Sequence, residues 1–379
     1  MRKHLIVTAS AFALLTAPAF ANDSFVDQIG DGNGAAVDQT AGAEGVSNII
    51  QNGSDNAAIV TQGETPVGSP GFGIAANNSA INQSGDLSRA EVTQSGTPNG
   101  GLGLTNSSTI NQTSSGGDLT SNNGNNVDPV GGFALEASVE QTGEGNVSTI
   151  DQINSGNFAG VRQFGESNTS AITQNGSRNR AVVNEQGQPN QINTNNFSSI
   201  IQDGDDNRAN VDQDGNGHES MVDQSGNNNR ARVRDQNADF NTSNIVQSGN
   251  NNDALVDDQG VEQGLGSNNN SDIFQTGGDN FASVNQGPGD DNDSQINQDG
   301  NMDTAIVSQT GANNMSDIDQ LLGGSNNTAT VTQGSDGNMS MIVQGGGSMN
   351  VATHTQSVTD GNVANSTQMG SGNTATVWQ

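Results

Sequence analysis

One glutamine recurs along almost the whole chain at a nearly fixed interval, and that interval restricts the possible folds more than any other feature. It occupies Gln28, Gln39, Gln51, Gln62, Gln83, Gln94, Gln112, Gln141, Gln152, Gln163 and onward to Gln356, Gln368 and Gln379, twenty-eight positions in all. Of the twenty-seven gaps, fourteen are 11 residues, seven are 12 and one is 13; the other five are longer. Each glutamine closes a seven-residue pattern, N-x-[AS]-x-[VI]-x-Q, as in Asn146-Ser148-Ile150-Gln152 and Asn157-Ala159-Val161-Gln163. A period of two places these four side chains on one face of a β-strand. Gly commonly follows two residues after the glutamine, as at Gly143, Gly165 and Gly176. It supplies the backbone angles of a tight turn. The unit is therefore strand, turn, strand, turn.

The strands alternate between two kinds. Odd strands carry Ser at the third motif position in all cases but Ala364, and Ile at the fifth in eleven of fourteen. Even strands carry Ala without exception, then Val in thirteen of fourteen. The alternation passes unbroken through every long gap. It implies two stacked sheets, one for each kind, each with its own columns of identical side chains. The expected fold is all-β: a two-sheet parallel β-solenoid of about 14 two-strand rungs, stacked at about 4.8 Å. A buried amide without a partner costs about 1–3 kcal/mol. Columns of Asn and Gln meet that requirement if each amide donates to the one in the next rung. The columns expected to carry assembly include Gln28, Gln39, Gln152, Gln163, Gln368, Gln379, Asn146, Asn157 and Asn373.

Composition agrees with a thin, small-residue interior. Asn, Gln and Gly number 55, 32 and 51 of 379 residues, while aromatic residues are 3% and Cys is absent. That excludes a disulfide scaffold, a thiolate metal site and an ordinary enzyme core. Ten basic residues against 41 acids leave no phosphate-binding surface, so no nucleic acid is expected as a partner. Arg2, Lys3 and His4 precede an apolar run, Leu5 to Leu15, and then Ala19-Phe20-Ala21. This reads as a secretory signal peptide, 1–21, cleaved after Ala21. The run is too short to span a bilayer. The repeat region, 22–379, is interrupted by loop insertions near 63–74, 95–104 and 113–133. Gaps of 12 ending at Gln186, Gln236 and Gln259 place an extra residue inside the strand, which reads as a bulge.

The pattern S-x5-Q-x-G-x-x-N-x-A-x3-Q, with the core Gln141-Thr142-Gly143-Glu144-Gly145-Asn146 and its siblings, resembles the curlin repeat of bacterial curli fibre subunits. The resemblance covers nearly all of 22–379. It implies a functional amyloid, a β-solenoid that polymerises with copies of itself into extracellular, cell-surface fibres for adhesion and biofilm matrix. It also implies export through an outer-membrane curli-type secretion pore, with periplasmic or surface accessory proteins. The chain departs from the family in lacking a Gly-rich export segment before the first repeat and in having few ladder aromatics. A non-polymerising surface-displayed solenoid adhesin and a minor fibre nucleator are the alternatives.

Other chemistry is weakly signalled. His218 stands in an Asn column and His354 in a Val column, so both read as substituted ladder positions rather than ligands. No metal site, cofactor or catalytic residue is expected. The acidic turns, such as Asp203-Gly204-Asp205-Asp206, read as a solvated face, because the calcium solenoid pattern repeats every nine residues. Arg162, Arg178, Arg180, Arg208, Arg230, Arg232 and Arg234 fall in or beside successive even strands. They form either a basic stripe for an acidic partner or local neutralisation of nearby Asp. Strands that begin at Asn22 and end at Gln379 would leave both outer rungs as templates. Ala364, Ser366 and His354 would weaken the last rungs, and Pro at Val377 would block the final edge. Like charges stacked one rung apart repel, so association is expected to be faster near pH 4–5 or at high salt.

Overall fold

The structure, a computed structural model, describes residues 22–41, 45–64, 77–96, 105–113, 135–185, 195–236, 239–257 and 267–379. The expected signal peptide lies outside the described residues, as does most of each expected insertion. Among the described residues, twenty-eight strands, β1 to β28 in chain order, form two 14-stranded parallel sheets, odd strands in one and even strands in the other. The fold is the two-sheet parallel β-solenoid that the alternation implies.

Two compact units divide the chain, one ending at Ala181 and the other beginning at Val182. In the first, odd strands pair in register from β1 (Asp23–Ile29) and β3 (Val46–Asn52) to β9 (Val147–Ile153) and β11 (Thr169–Asn175). Its even strands run from β2 (Gly34–Ala41) and β4 (Ala57–Glu64) to β10 (Asn157–Glu166). In the second unit, odd strands run from β13 (Phe197–Asp203) to β25 (Met339–Gly345) and β27 (Val363–Met369). Its even strands run from β14 (Arg208–Gln213) to β26 (Val351–Gln356) and β28 (Thr374–Trp378).

Register places like on like. Ser148, Ile150 and Gln152 oppose Ser170, Ile172 and Gln174. Ala137, Val139 and Gln141 oppose Ala159, Val161 and Gln163. A one-residue slip would turn every apolar side chain outward, so the pattern itself fixes the pairing. Inward residues of interior rungs are sealed: Ile49, Ile150, Ile273 and Ile318 are all 0% exposed. Each such side chain contributes about 1.5–3 kcal/mol through burial.

The turns hold two left-handed positions. The expected one is Gly143, at φ 116°. A Cβ there would lie 2.0 Å from the Gly165 carbonyl oxygen of the next rung, so stacking as well as φ demands glycine. The second stands one residue before the inward ladder position that opens each strand, and its occupants are varied. Sixteen of the seventeen non-Gly residues with positive φ among the described residues sit there, including Asp206, Asn228, Phe240 and Met349. Of the three expected bulges, the one at Gln236 appears as a register shift between β14 and β16 (Arg230–Gln236), where Gln213 opposes Gln236. Gln186 and Gln259 lie outside the described residues.

Candidate functional site: side-chain ladders and terminal rungs

Side-chain hydrogen bonds link the glutamines in runs from Gln28 to Gln174 and from Gln202 to Gln368 in the odd sheet, and from Gln39 to Gln163 and from Gln286 to Gln379 in the even sheet. Gln112 Nε2 donates to Gln152 Oε1 at 2.9 Å, and Gln152 donates to Gln174 at 2.8 Å. In the even sheet Gln141 donates to Gln163 at 2.8 Å. The second amide hydrogen reaches across to the other sheet: Gln152 Nε2 to the Glu136 carbonyl at 3.0 Å, and Gln163 Nε2 to the Val147 carbonyl at 3.1 Å. Each glutamine therefore ties its rung to the next and one sheet to its neighbour. At the outer rungs Gln28 donates to Gln51, Gln39 to Gln62, Gln344 to Gln368 and Gln356 to Gln379.

The asparagine column works differently from the expectation. Asn146 Oδ1 accepts the backbone N–H of Asn168, and Asn157 Oδ1 accepts that of Asn179. Asn146 Nδ2 donates to the Gly165 carbonyl at 3.0 Å, and Asn157 Nδ2 to Gly176 at 2.8 Å. The amide caps the turn of its own rung and the next instead of bonding mainly to another amide. The reason is position: Asn follows a left-handed residue, where the backbone leaves the sheet and its polar groups need partners. Asn373 combines both modes, with Nδ2 donating to Asn350 Oδ1 at 3.0 Å and to the Met369 carbonyl.

Three substitutions in these columns have distinct chemistry. His218 is buried, and its Nδ1 accepts the Asn241 backbone N–H at 3.2 Å, the role Asn Oδ1 plays elsewhere. Asp303 is 0% exposed in an Asn position. Its Oδ1 accepts the Asn327 N–H at 2.9 Å, but Oδ2 has no donor and lies beside Gly300 and the Gly324 carbonyl. Burial pushes its pKa up from 3.8 to about 6. His354 is also fully buried, and burial holds its pKa below the ordinary imidazole value. Its Nδ1 lies 2.8 Å from Ser340 Oγ and its Nε2 2.6 Å from Ser366 Oγ. Ser366 and His354 are thus partners across the core, although they stand in different columns. Among the described residues no group of three His, Cys, Asp or Glu is placed to hold a metal.

The outer rungs differ from the interior in exposure. Every residue of β1 is exposed, with inward Val26 at 37% against 0% for its register partner Ile49. In β28 the inward Ala375 and Val377 are half-exposed. Backbone direction follows from the hydrogen bonds. Asp23 N–H donates to Gly45, and the Ile29 carbonyl accepts Gly53 N–H, so the alternate residues Ser24, Val26 and Gln28 turn away from β3. At the other end, Gln379 exchanges bonds with Thr355 and Ser357, and the Asn373 carbonyl accepts Val351 N–H. Val377 shares that parity and faces β26. Thr374, Thr376 and Trp378 face outward. Thr376, not Val377, is therefore the position at which proline would block the edge without removing an internal bond.

Three of the seven arginines pair with acids. Arg162 pairs with Glu140 at 3.1 Å, Arg232 with Asp253 at 3.0 Å and Arg234 with Asp257 at 3.0 Å. Arg162 and Arg180 also lie over the rings of Phe164 and Phe158, at 4.8 and 5.5 Å. Arg178 packs its stem against Gly156. Arg208 and Arg230 are exposed and stand in register, one over the other. Ion pairing with nearby acids thus accounts for three of the seven, each within one unit.

A family model described as the curlin associated repeat matches residues 204–234 and 289–321, about a sixth of the chain. The first stretch spans β14, all of β15 (Glu219–Asn227) and most of β16; the second covers β21 (Asp293–Gln298), β22 (Thr304–Gln309) and β23 (Met315–Gln320). No curated protein matches the chain. In those two stretches the chain is similar to the curlin repeat, and the same rung geometry recurs in both units on either side of them.

Proposed function

We propose that the chain is a secreted structural subunit that assembles with copies of itself into curli-type extracellular fibres serving adhesion and biofilm matrix. The observation that carries this reading is the exposure of inward-column residues in the first and last described rungs. Val26, Ala375 and Val377 are exposed or half-exposed at positions where interior rungs are sealed. In interior pairs the outward-column residues of the earlier strand bond the inward-column residues of the later one, as Met339 N–H does with the Asn362 carbonyl. The groups left over at β27 and β28 are outward-column ones, and those left over at β1 and β2 are inward-column ones. The two edges are complementary, so a second copy can continue both sheets in register, its Gln28 and Gln39 accepting from Gln368 and Gln379. Unpaired parallel edges of this kind favour strand addition.

On this reading residues 1–21 direct export and 22–379 form the assembling repeat region. An outer-membrane curli-type pore and accessory proteins would deliver it to the cell surface. The ladder residues serve assembly as well as folding. The test is X-ray diffraction from aligned material grown from purified 22–379. A meridional spacing of about 4.8 Å supports the proposal. A chain that stays monodisperse at high concentration while keeping its β-rich circular dichroism contradicts it and favours the non-polymerising adhesin.

A further inference from the structure

The seven methionines among the described residues are all exposed, from 40% at Met341 to 64% at Met349. Three of them meet. Met315 in β23 stands in register with Met339 in β25, and Met341 follows Met339 on the same outer face of the odd sheet. In-register neighbours lie about 4.8 Å apart, and residues i and i+2 about 6.6 Å apart. Asp317 opposes Met341 and completes the square. Asp293, in register with Met315, adds a second carboxylate beside it. The other methionines have no methionine in register: Met221 lies between Ser199 and Asn244, and Met369 opposes Gly345.

We infer that Met315, Met339 and Met341 form a binding site for a soft monovalent metal ion, copper(I) or silver(I), on the outer face of the odd sheet. Thioether sulfur selects such ions over zinc, calcium or magnesium. Methionine has three rotatable bonds and a polarisable sulfur, so three side chains anchored at these spacings can converge on one ion above the sheet. The strands beneath fix the anchors, and the side chains are open to solvent. Asp317 and Asp293, within a strongly acidic surface, favour a cation there. The chain has no Cys, and both described histidines are buried in the core, so thioether is the accessible soft donor. The site does not depend on whether the chain polymerises.

The experiment is an anaerobic titration of purified 22–379 with copper(I) buffered by a chromophoric copper(I) chelator, repeated with Met339→Leu and Met221→Leu. Leucine keeps the volume and apolar area of an exposed methionine, so folding is retained, and circular dichroism checks it. The expected result is one equivalent of copper(I) withdrawn from the chelator. Affinity should fall at least tenfold in Met339→Leu and stay unchanged in Met221→Leu, with excess zinc(II) failing to compete. Wild-type protein that withdraws no copper(I), equal affinity in all three proteins, or displacement by zinc(II) would each overturn the assignment.

Discussion

Ile49 and Val26 occupy the same column of the odd sheet, one rung apart, yet Ile49 is 0% exposed and Val26 is 37% exposed. The same contrast separates Val331 in β24 (Thr328–Gln333), fully buried, from Val377 in β28, which is half-exposed. The difference is not in residue type. In this fold a side chain is buried by the rung above and the rung below, and an end rung has only one of them. Burial is a property of stacking, so on the proposed function a second copy of the chain would supply what an outer rung lacks.

The largest effect should come from truncating an interior column residue. Ile273→Ala should destabilise the monomer by about 2–5 kcal/mol. Val26→Ala should cost under about 1 kcal/mol, because its methyl groups are already partly in water. Urea unfolding followed by circular dichroism at low protein concentration checks the pair. Equal costs at the two sites would erase the distinction between interior and edge.

Asp303 breaks an interior column by charge. Its folded pKa, about 6, lies above the ordinary 3.8, so the folded state holds the proton more tightly than the unfolded chain. Stability from this group is fully present below about pH 4 and is lost as pH rises through about 6. The neutral carboxyl can donate from Oδ2 as Asn Nδ2 does; the carboxylate cannot. Asp303→Asn should therefore stabilise by on the order of 2 kcal/mol at pH 7.5 and by almost nothing at pH 4. A gain that is independent of pH would show that Asp303 is not titrating in the fold.

His354 has the opposite sign. Its pKa is held down by burial, so its contribution is present above the ordinary imidazole pKa of 6.5 and is lost as pH falls. His354→Val alone strands the Ser366 hydroxyl, and Ser366→Ile alone strands an imidazole nitrogen. The double substitution restores the apolar column found in other rungs. A double-mutant cycle should give a coupling of about 0.5–2 kcal/mol. Additive single effects would mean that the 2.6 Å contact contributes nothing. The smallest effect belongs to the surface: Arg232→Ala removes a partly exposed ion pair and should cost under about 1 kcal/mol.

What was legible in the sequence follows from where the information lies. A column of one residue type, such as the glutamines ending at Gln379 or the Ser and Ala of alternate strands, announces period, face, register and sheet number together. The left-handed position before each ladder residue is not legible, because Asp206, Phe240 and Met349 share it without any common side chain. The Asn column was legible as a column but not in its chemistry, since its partners are backbone groups of the turn. The His354–Ser366 pair escaped because its members lie in different columns of different sheets, and each looks like an isolated defect. The split of the arginines into ion-paired residues and the stacked Arg208 and Arg230 depends on which acids the neighbouring rungs bring alongside, which no local pattern marks.

The most direct test of open, complementary ends is seeded elongation by Thr376→Pro. Thr376 faces outward from β28, where proline removes an unpaired donor and leaves the monomer fold intact. Wild-type seeds supplied with Thr376→Pro monomer should elongate at least tenfold more slowly than with wild-type monomer, at unchanged monomer circular dichroism. Elongation at the wild-type rate would show that growth does not pass through this edge, and the outer rungs would not be the assembly surface.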